Sequence, residues 1–304
     1  MRSFGNSRVA PIALAAIFCA LALGGCADVF FAVVDSTTDR HNLAETRGIV
    51  FDADHALSLD AYVPKNAANA PIVVFFYGGS WAQGKRRWYR YVGDALANHG
   101  VIVLIPDYRK FPDVHFPAFM HDAAHAVAWA HEHAAEFGGD SKRLFVMGHS
   151  AGGQIAALLA ADKRYLNAVG MQPRDLAGMI GVAGAYAFLP FVDDEPEIFG
   201  DTAKGRYESQ PINFVDGDEP PMLLLQGSED EEVPPSNAEA MAERAHAMQG
   251  VAQLKVYPGI GHSAIMLAFA RERTSRVPVL ADTLAFIADP LAVTTISVTP
   301  QSHP

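Results

Sequence analysis

The feature that most constrains the fold of this 304-residue chain is the short stretch 148–152, which reads G-H-S-A-G. It follows the apolar run 144–147, which is typical of a buried strand, and it precedes a helical pattern over 154–161. Its two glycines have no Cβ, so the strand and the helix can approach closely around a sharp, strained turn. We therefore predict a strand–turn–helix unit that exposes the hydroxyl of Ser150 near the N-terminal, positive end of the helix.

The rest of the sequence alternates apolar runs with helical patterns, which indicates an α/β fold with a mostly parallel central sheet and helices on both faces. The predicted strands are 72–77, 101–105, 144–147, 176–185, 222–226 and 253–257, and the predicted helices are 88–97, 117–137, 154–161, 237–248 and 278–287. We expect one domain over 47–290 and a flexible tail over 291–304. Segment 188–221 contains several prolines and acids but little periodicity, and a connection of this length suggests a lid or substrate loop.

The N-terminus has the pattern of a targeting segment. Arg2 and Arg8 provide a positive flank to the uncharged run 9–23. This run has the length of a signal-peptide core but is short for a membrane-spanning helix. We therefore expect residues 1–25 to be a signal peptide.

The stretch that ends this segment, L-G-G-C over 23–26, resembles the lipobox at which bacterial lipoproteins are cleaved and lipidated. The resemblance implies a linker over 26–46 that starts at lipidated Cys26, and two acyl chains suffice for stable membrane anchoring. Ala27, rather than an aspartate, implies sorting to the periplasmic side of the outer membrane in the cell envelope. The alternative is an ordinary signal peptide that contains a cysteine.

The composition of the mature chain narrows the choice of partners. Cys19 lies in the segment to be removed, so Cys26 stands alone and the folded domain has no disulfide. Removal of residues 1–25 leaves 21 basic and 34 acidic residues, and this net charge of −13 argues against nucleic acid as a partner.

The one basic run, K-R-R over 85–87, is either the solvated start of a helix or a contact for an anionic substrate.

A base must reach Ser150, because a serine hydroxyl is a weak nucleophile until its proton is removed. Around this kind of turn, an acid and then a histidine follow the serine along the chain. Of the histidines beyond segment 188–221, His246 lies in a predicted helix and His303 lies in the tail. His262 is predicted on a loop just after the last strand, and we expect it to be the base.

The acid is expected in 226–234, Q-G-S-E-D-E-E-V-P, which follows a predicted strand. Such a carboxylate holds the imidazole in the tautomer that can accept the serine proton, and it stabilises the imidazolium that forms. We favour Asp230, with Glu229 as the main alternative. Glu231 and Glu232 are expected to be solvated loop charges.

Acyl transfer also needs donors for the oxygen that becomes negative in the transition state. The stretch 78–81, G-G-S-W, ends an early strand and is placed like the glycine-rich oxyanion loop of lipases and esterases. We expect the backbone amides of Gly79, Ser80 and Ala151 to be the donors. The alternative is a plain glycine turn.

One motif suggests different chemistry. His121 and His125 lie at i and i+4 on one helix face, a spacing that can bind zinc. The acid between them is Asp122, not the glutamate of the zinc motif, and the sequence suggests no third ligand. We therefore expect no metal site, and the serine chemistry requires no cofactor.

Taken together, these motifs resemble the α/β-hydrolase superfamily, and within it the small carboxylesterases related to hormone-sensitive lipase, kynurenine formamidase and prenylcysteine methylesterase. The likeness runs from residue 59 to 287 and includes Y-G-G-S-W (77–81), P-D-Y-R (106–109), F-P-A-F-M-H-D-A-A-H-A-V-A-W (116–129), F-G-G-D (137–140), G-H-S-A-G-G (148–153), G-S-E-D-E-E-V-P (227–234) and G-H (261–262). These motifs are specific for fold and machinery but not for substrate. Tyr77 is a departure, because many relatives have a histidine there that is thought to brace the oxyanion loop. Lipase-like relatives also carry a substantial N-terminal cap, whereas about 20 residues separate Cys26 from the first domain strand.

The resemblance implies a serine esterase that cleaves small to medium-sized carboxylic esters through an acyl-enzyme. One alternative is an amide or formamide hydrolase with the same triad. A second is a non-catalytic envelope binding protein on a hydrolase fold. We expect a small-molecule ester substrate, a membrane contact through Cys26 and no nucleic acid.

Overall fold

The computed structural model describes residues 28, 30–35, 38, 40–270, 275 and 277–292. The expected signal peptide, Cys26 and residues 293–304 of the expected tail lie outside the described residues. Within the described ranges, no helix combines the length and the apolar content that a membrane span requires.

One sheet of eight strands runs through the described domain, in the order β1-β2-β4-β3-β5-β6-β7-β8. The strands are β1 (Leu43–Asp52), β2 (Leu57–Pro64), β3 (Ala70–Phe76), β4 (Ile102–Pro106), β5 (Gly139–His149), β6 (Gly178–Val182), β7 (Met222–Gly227) and β8 (Ala252–Tyr257). β2 pairs antiparallel with β1 and β4, whereas the other neighbours pair in parallel. The predicted α/β class with a mostly parallel sheet is confirmed.

One or two α-helices follow each strand from β3 to β8. They are α1 (Arg90–Ala97), α2 (Ala118–Glu132), α3 (Ala151–Ala161), α4 (Lys163–Asn167), α5 (Glu195–Phe199), α6 (Ala203–Glu208), α7 (Ser236–Ala247), α8 (His262–Ala270) and α9 (Val279–Ala288). Every residue of β3 and β4 is buried, although successive side chains of a strand point to opposite faces. Both faces of the central sheet are therefore covered, which explains why these strands read as continuous apolar runs.

The sheet brings the candidate site residues to one edge. β3 ends just before the 78–81 loop, β5 ends at the residue before Ser150, β7 ends shortly before Asp230, and β8 ends shortly before His262. These four strands all run in the same direction. Their carboxyl ends therefore meet at the same edge, which is where open α/β sheets bind their ligands.

The structure differs from the sequence expectation at His262. This residue begins helix α8 and does not lie on a loop. The sequence from 262 to 270, H-S-A-I-M-L-A-F-A, is apolar on nearly all sides, so it shows little of the amphipathic pattern by which a surface helix is recognised.

Part of the segment expected to be a linker, 26–46, packs on the domain. Residues 30–35 are helical, and Phe31 stacks on Trp88 with 5.4 Å between the ring centroids. β1 also begins inside this range. Like β2, β1 was not among the predicted strands; most of its side chains are partly or fully exposed, so it lacks the apolar run of a central strand.

The side chains of the basic run 85–87 form ion pairs with nearby aspartates. Arg87 lies 2.7 Å from the carboxylate of Asp28, and Lys85 lies 3.7 Å from the same group. Arg86 pairs with Asp60 at 2.5 Å. The run is therefore neither a purely solvated helix start nor a patch of unpaired cations.

Candidate active site

Ser150 occupies the strained apex of the turn between β5 and α3. Its φ of 56° and ψ of −122° lie in a region that non-glycine residues rarely adopt, which costs on the order of 1–3 kcal/mol. The surrounding backbone holds this conformation, because the Ser150 amide donates to the Val182 carbonyl at 3.0 Å and the Gly153 amide donates to the Ser150 carbonyl at 2.8 Å. Strain retained in this way is typical of a functional residue.

The two glycines that flank Ser150 are required by close backbone contacts. A Cβ on Gly148 would lie 2.0 Å from the carbonyl oxygen of Gly152. A Cβ on Gly152 would lie 2.0 Å from the carbonyl oxygen of Phe76, in β3. Since these are main-chain atoms of the central sheet and the turn, they cannot move aside as a flexible side chain would.

Gly152→Ala is therefore expected to lower the free energy of unfolding by about 3 kcal/mol or more, through steric overlap with β3. Gly170→Ala is a matched control, because Gly170 has a φ of 76° but open space around its Cβ position. Gly170→Ala should lower the free energy of unfolding by about 1–2 kcal/mol, because alanine is disfavoured in this backbone conformation. Urea unfolding of both variants measures the difference, and equal losses would show that backbone crowding at Gly152 is unimportant.

Asp230 and His262 form a buried hydrogen-bonded pair. The Nδ1 atom of His262 lies 2.9 Å from Oδ2 of Asp230, and their side chains are 7% and 0% exposed. The carboxylate also accepts hydrogen bonds from the Gln226 side chain at 3.0 Å and from the amides of Glu232 and Val233 at 3.1 and 2.8 Å. Both oxygens of Asp230 are thus fixed, and one of them faces the imidazole.

These contacts also set the charge of the pair. Burial alone would raise the pKa of Asp230, but the hydrogen bonds from His262 and the Val233 amide hold that pKa below its usual range. Asp230 is therefore ionised at neutral pH, and because a carboxylate only accepts, it favours a proton on Nδ1 of His262. Glu229, the alternative acid, is exposed, whereas Glu232 brings a carboxylate oxygen within 3.8 Å of Nε2.

The 78–81 loop lies directly against Ser150. A Cβ on Gly78 would lie 3.1 Å from Cβ of Ser150. Gly79, Ser80 and Trp81 have φ values of 131°, 51° and 56°, so three successive residues take a left-handed conformation. Among the described residues, no backbone hydrogen bond uses the amide of Gly79 or Ser80.

The third expected donor, Ala151, is the first residue of α3, where helical amides have no partner within the helix. The amides of the 78–81 loop and of this helix start therefore approach Ser150 from two segments of the chain. Preorganised amides of this kind can stabilise a developing oxyanion.

Tyr77 takes the place of the histidine of many relatives. Its carbonyl accepts from the Tyr108 hydroxyl at 2.7 Å, and its own hydroxyl donates to Asp107 at 3.1 Å and accepts from Lys110 at 2.9 Å. Its ring packs against Gly84, just beyond the loop, because a Cβ on Gly84 would lie 2.7 Å from it. Tyr77, which directly precedes the 78–81 loop, is therefore held by packing and by a polar network.

Sequence reasoning missed two glutamines. Gln226 holds Asp230, and Gln154 accepts from Nε1 of Trp81 at 3.0 Å while it donates to the Ser209 carbonyl at 2.9 Å. Both glutamines are completely buried. Each glutamine is an uncharged polar residue in an otherwise apolar strand or helix. Because buried amides are normally hydrogen-bonded, this pattern could have indicated that the two side chains hold neighbouring groups.

Segment 188–221 folds against the 78–81 loop. Phe188 and Phe199 pack on Trp81 with ring-centroid distances of 5.5 and 4.9 Å. The Phe116 amide donates to the carbonyl of Ile198 at 3.0 Å. The segment contains two short α-helices and a 3₁₀ turn, and it places an aromatic wall next to the loop.

The histidines considered for zinc are engaged elsewhere. His121 packs edge-on against Tyr165, and His125 lies 3.9 Å from Asp52. Asp122 is bound by Arg109, with contacts of 2.6 and 3.0 Å. In the part of the chain that the structure describes, no group of three or more potential ligands is arranged for a metal ion.

Comparison with known proteins gives consistent matches. The family model BD-FAE matches residues 59–180. The chain is 27% identical over 250 residues to the probable isoprenylcysteine alpha-carbonyl methylesterase ICMEL1 of Arabidopsis thaliana, and 31% identical over 254 residues to esterase LipC of Mycobacterium tuberculosis. These alignments cover 73% and 74% of this chain, and the chain spans 51% and 61% of the length of those relatives. The inhibited crystal structure of esterase B from Lactobacillus rhamnosis aligns with a TM-score of 0.75 at 20% identity, over 91% of this chain and 96% of that one.

The sheet order, the turn at Ser150 and the structural match show the α/β-hydrolase fold. The sequence matches are to esterases and methylesterases, so the predicted resemblance to the carboxylesterase group is confirmed.

Proposed function

We propose that this chain is a serine hydrolase that cleaves carboxylic esters of small to medium-sized substrates through an acyl-enzyme. The observation that carries the proposal is the buried pair of His262 and Asp230, 2.9 Å apart, at the sheet edge where the strained turn presents Ser150. The names of the curated relatives, which are esterases and methylesterases, support ester hydrolysis.

In the proposed mechanism, Oγ of Ser150 attacks the ester carbonyl carbon while Nε2 of His262 takes its proton. The carbonyl electron pair moves onto oxygen, where the amides of Gly79, Ser80 and Ala151 stabilise the negative charge. Collapse of this intermediate breaks the carbon–oxygen bond to the alcohol, which leaves with the proton from His262. Asp230 holds the imidazole in the required tautomer and stabilises its charged form.

Water completes the cycle by attacking the acyl-enzyme. His262 removes a proton from this water, and a second oxyanion forms at the same donors. Its collapse releases the carboxylic acid and returns the proton to Oγ of Ser150. The proposed reaction consumes one ester and one water, and it uses no metal or cofactor.

We propose that segment 188–221 is the substrate loop. Its aromatic side chains meet Trp81, which directly follows the expected oxyanion donors in the chain. An apolar acyl or alcohol group would bury its surface there, which favours binding by about 25 cal/mol per Å². The adjacent Leu189 and Val192 are 45% and 57% exposed, and they are available to contact a longer chain.

Turnover of matched p-nitrophenyl esters and p-nitroanilides tests the proposal. The purified full-length chain should hydrolyse the esters faster than the corresponding amides, and the ester series should show a preferred chain length. Faster turnover of the amides would favour the amidase alternative. A chain that turns over neither substrate would favour the binding-protein alternative.

We also propose that Cys26 is lipidated and anchors the domain in the cell envelope, on the periplasmic side of the outer membrane. The L-G-G-C stretch and the preceding apolar run support this proposal. The mass of the N-terminal peptide from native membranes tests this proposal. We expect Cys26 to carry a diacylglyceryl group on its sulfur and an acyl chain on its amino group, and an unmodified residue 26 would contradict the proposal.

A further inference from the structure

We propose that His149 is a positioning residue that aligns His262 with Ser150 and with the oxyanion loop, through hydrogen bonds to Tyr89 and to the backbone of His262. This inference rests on the proposed function and adds residues to its site. His149 is the first of the two variable residues of the G-x-S-x-G turn, where the motif itself sets no requirement.

The ring of His149 is buried between the base and the loop. It is 6% exposed, and its centroid lies 4.8 Å from that of His262 and 6.0 Å from that of Tyr89. Nδ1 lies 3.2 Å from the Tyr89 hydroxyl, and Nε2 lies 3.4 Å from the His262 carbonyl oxygen. Both ring nitrogens therefore have a partner.

These partners determine where the proton lies. A carbonyl oxygen can only accept, so Nε2 of His149 carries the proton and donates a hydrogen bond to the His262 carbonyl. Nδ1 then carries a lone pair, which accepts a hydrogen bond from the Tyr89 hydroxyl. Burial, together with the nearby charge of His262, lowers the pKa of His149 to about 3, so the ring is neutral at any pH at which the enzyme would act.

The same tyrosine connects to the oxyanion loop. Burial raises the pKa of Tyr89 to about 12, and a backbone hydrogen bond from Gly78 opposes that rise. A Cβ on Gly78 would lie 2.9 Å from Nδ1 of His149, so the loop also rests directly on the ring. His149 is thus joined to Ser150 by the chain, to His262 by a hydrogen bond and a ring contact, and to the loop by packing.

This arrangement explains how three separate segments keep a fixed geometry. Ser150, His262 and the 78–81 loop come from different strand ends, and proton transfer requires the reacting atoms to stay within hydrogen-bond reach. A displacement of about 1 Å can reduce the rate about a hundredfold. An apolar residue in place of His149 would fill the space but would remove the hydrogen bond to the His262 carbonyl.

The test compares His149→Phe, His149→Gln and Tyr89→Phe in the full-length chain. Phenylalanine keeps a ring but removes both hydrogen bonds, and we expect kcat for p-nitrophenyl butyrate to fall about a hundredfold with little change in KM. Glutamine offers both a donor and an acceptor and should recover part of that loss. Tyr89→Phe removes one hydroxyl and should lower kcat about tenfold.

Tyr91→Phe is the matched control. Tyr91 is also buried, at 1% exposure, and its ring centroid lies 6.2 Å from that of Tyr89, but it has no contact with His149 among those described. Its kcat should equal that of the wild type. The double variant of Tyr89 and His149 should be no slower than His149→Phe alone, because both changes break the same connection.

A second readout separates this inference from the proposed function. The Nδ1 proton of His262, shared with Asp230, is expected to give a low-field proton resonance, which should move in His149→Phe and Tyr89→Phe but not in Tyr91→Phe. A wild-type chain without esterase activity would refute the proposed function, and the resonance would still test the positioning. Wild-type kcat in folded Tyr89→Phe, or an unmoved resonance in both variants, would overturn the inference.

Discussion

Ser150→Ala is expected to lower kcat for p-nitrophenyl esters by at least about 10⁴-fold while the thermal unfolding temperature stays that of the wild type. The substitution removes the oxygen proposed to form the acyl-enzyme, and it leaves the proposed oxyanion donors in place. Those groups account for the small rate that should remain above the uncatalysed reaction.

The control for this variant is Ser236→Ala, an exposed serine at the start of α7. Its kcat should be unchanged. If Ser150→Ala retained more than about a tenth of the wild-type turnover, the covalent mechanism at Ser150 would be excluded, because loss of a true nucleophile is never so mild.

Asp230→Asn is the second change with a large expected effect. The amide keeps the size of the carboxylate but favours the wrong imidazole tautomer and removes the charge that stabilises the imidazolium, so kcat should fall by about 10⁴-fold. The fold should survive, since the amides of Glu232 and Val233 can still donate to the one remaining oxygen of the side chain.

Glu229→Gln provides a direct comparison, because Glu229 was the alternative acid in the sequence. It is exposed and next to Asp230 in the chain, and its substitution should change kcat by less than about twofold, as expected for a solvated charge. Steady-state kinetics of the two variants shows whether Asp230 or Glu229 is the acid. Comparable losses in both, or a greater loss in Glu229→Gln, would refute the assignment of Asp230.

Much of the fold could be predicted from the sequence because the buried parallel strands have a distinctive pattern. β3 and β4 are covered on both faces and therefore read as unbroken apolar runs. β1 could not be recognised in this way, since it lies at the sheet edge and all but the first of its residues are exposed or only partly buried. The short helices of segment 188–221 escaped detection because five or six residues carry too little periodicity.

The candidate site was predictable to the extent that its residues lie at strand ends and in a fixed chain order. His262 and Asp230 are separated by 32 residues, yet the order of partners after Ser150 restricts the choice to a few positions. The contact between Tyr89 and His149 spans 60 residues and follows no such rule. It depends on how the 3₁₀ turn Arg86–Tyr89, which precedes α1, packs against the 78–81 loop. The pattern of residues along the chain does not encode this packing.

The most direct test of the central claim is covalent labelling of the folded full-length chain with a fluorophosphonate, followed by peptide mass spectrometry. Such probes react with a serine that a base has activated and that an oxyanion site can stabilise. We predict one adduct per chain, on Ser150, which is absent in Ser150→Ala and strongly slowed in Asp230→Asn. No adduct on the folded wild-type chain, or an adduct on another residue, would contradict the account of Ser150 as the nucleophile.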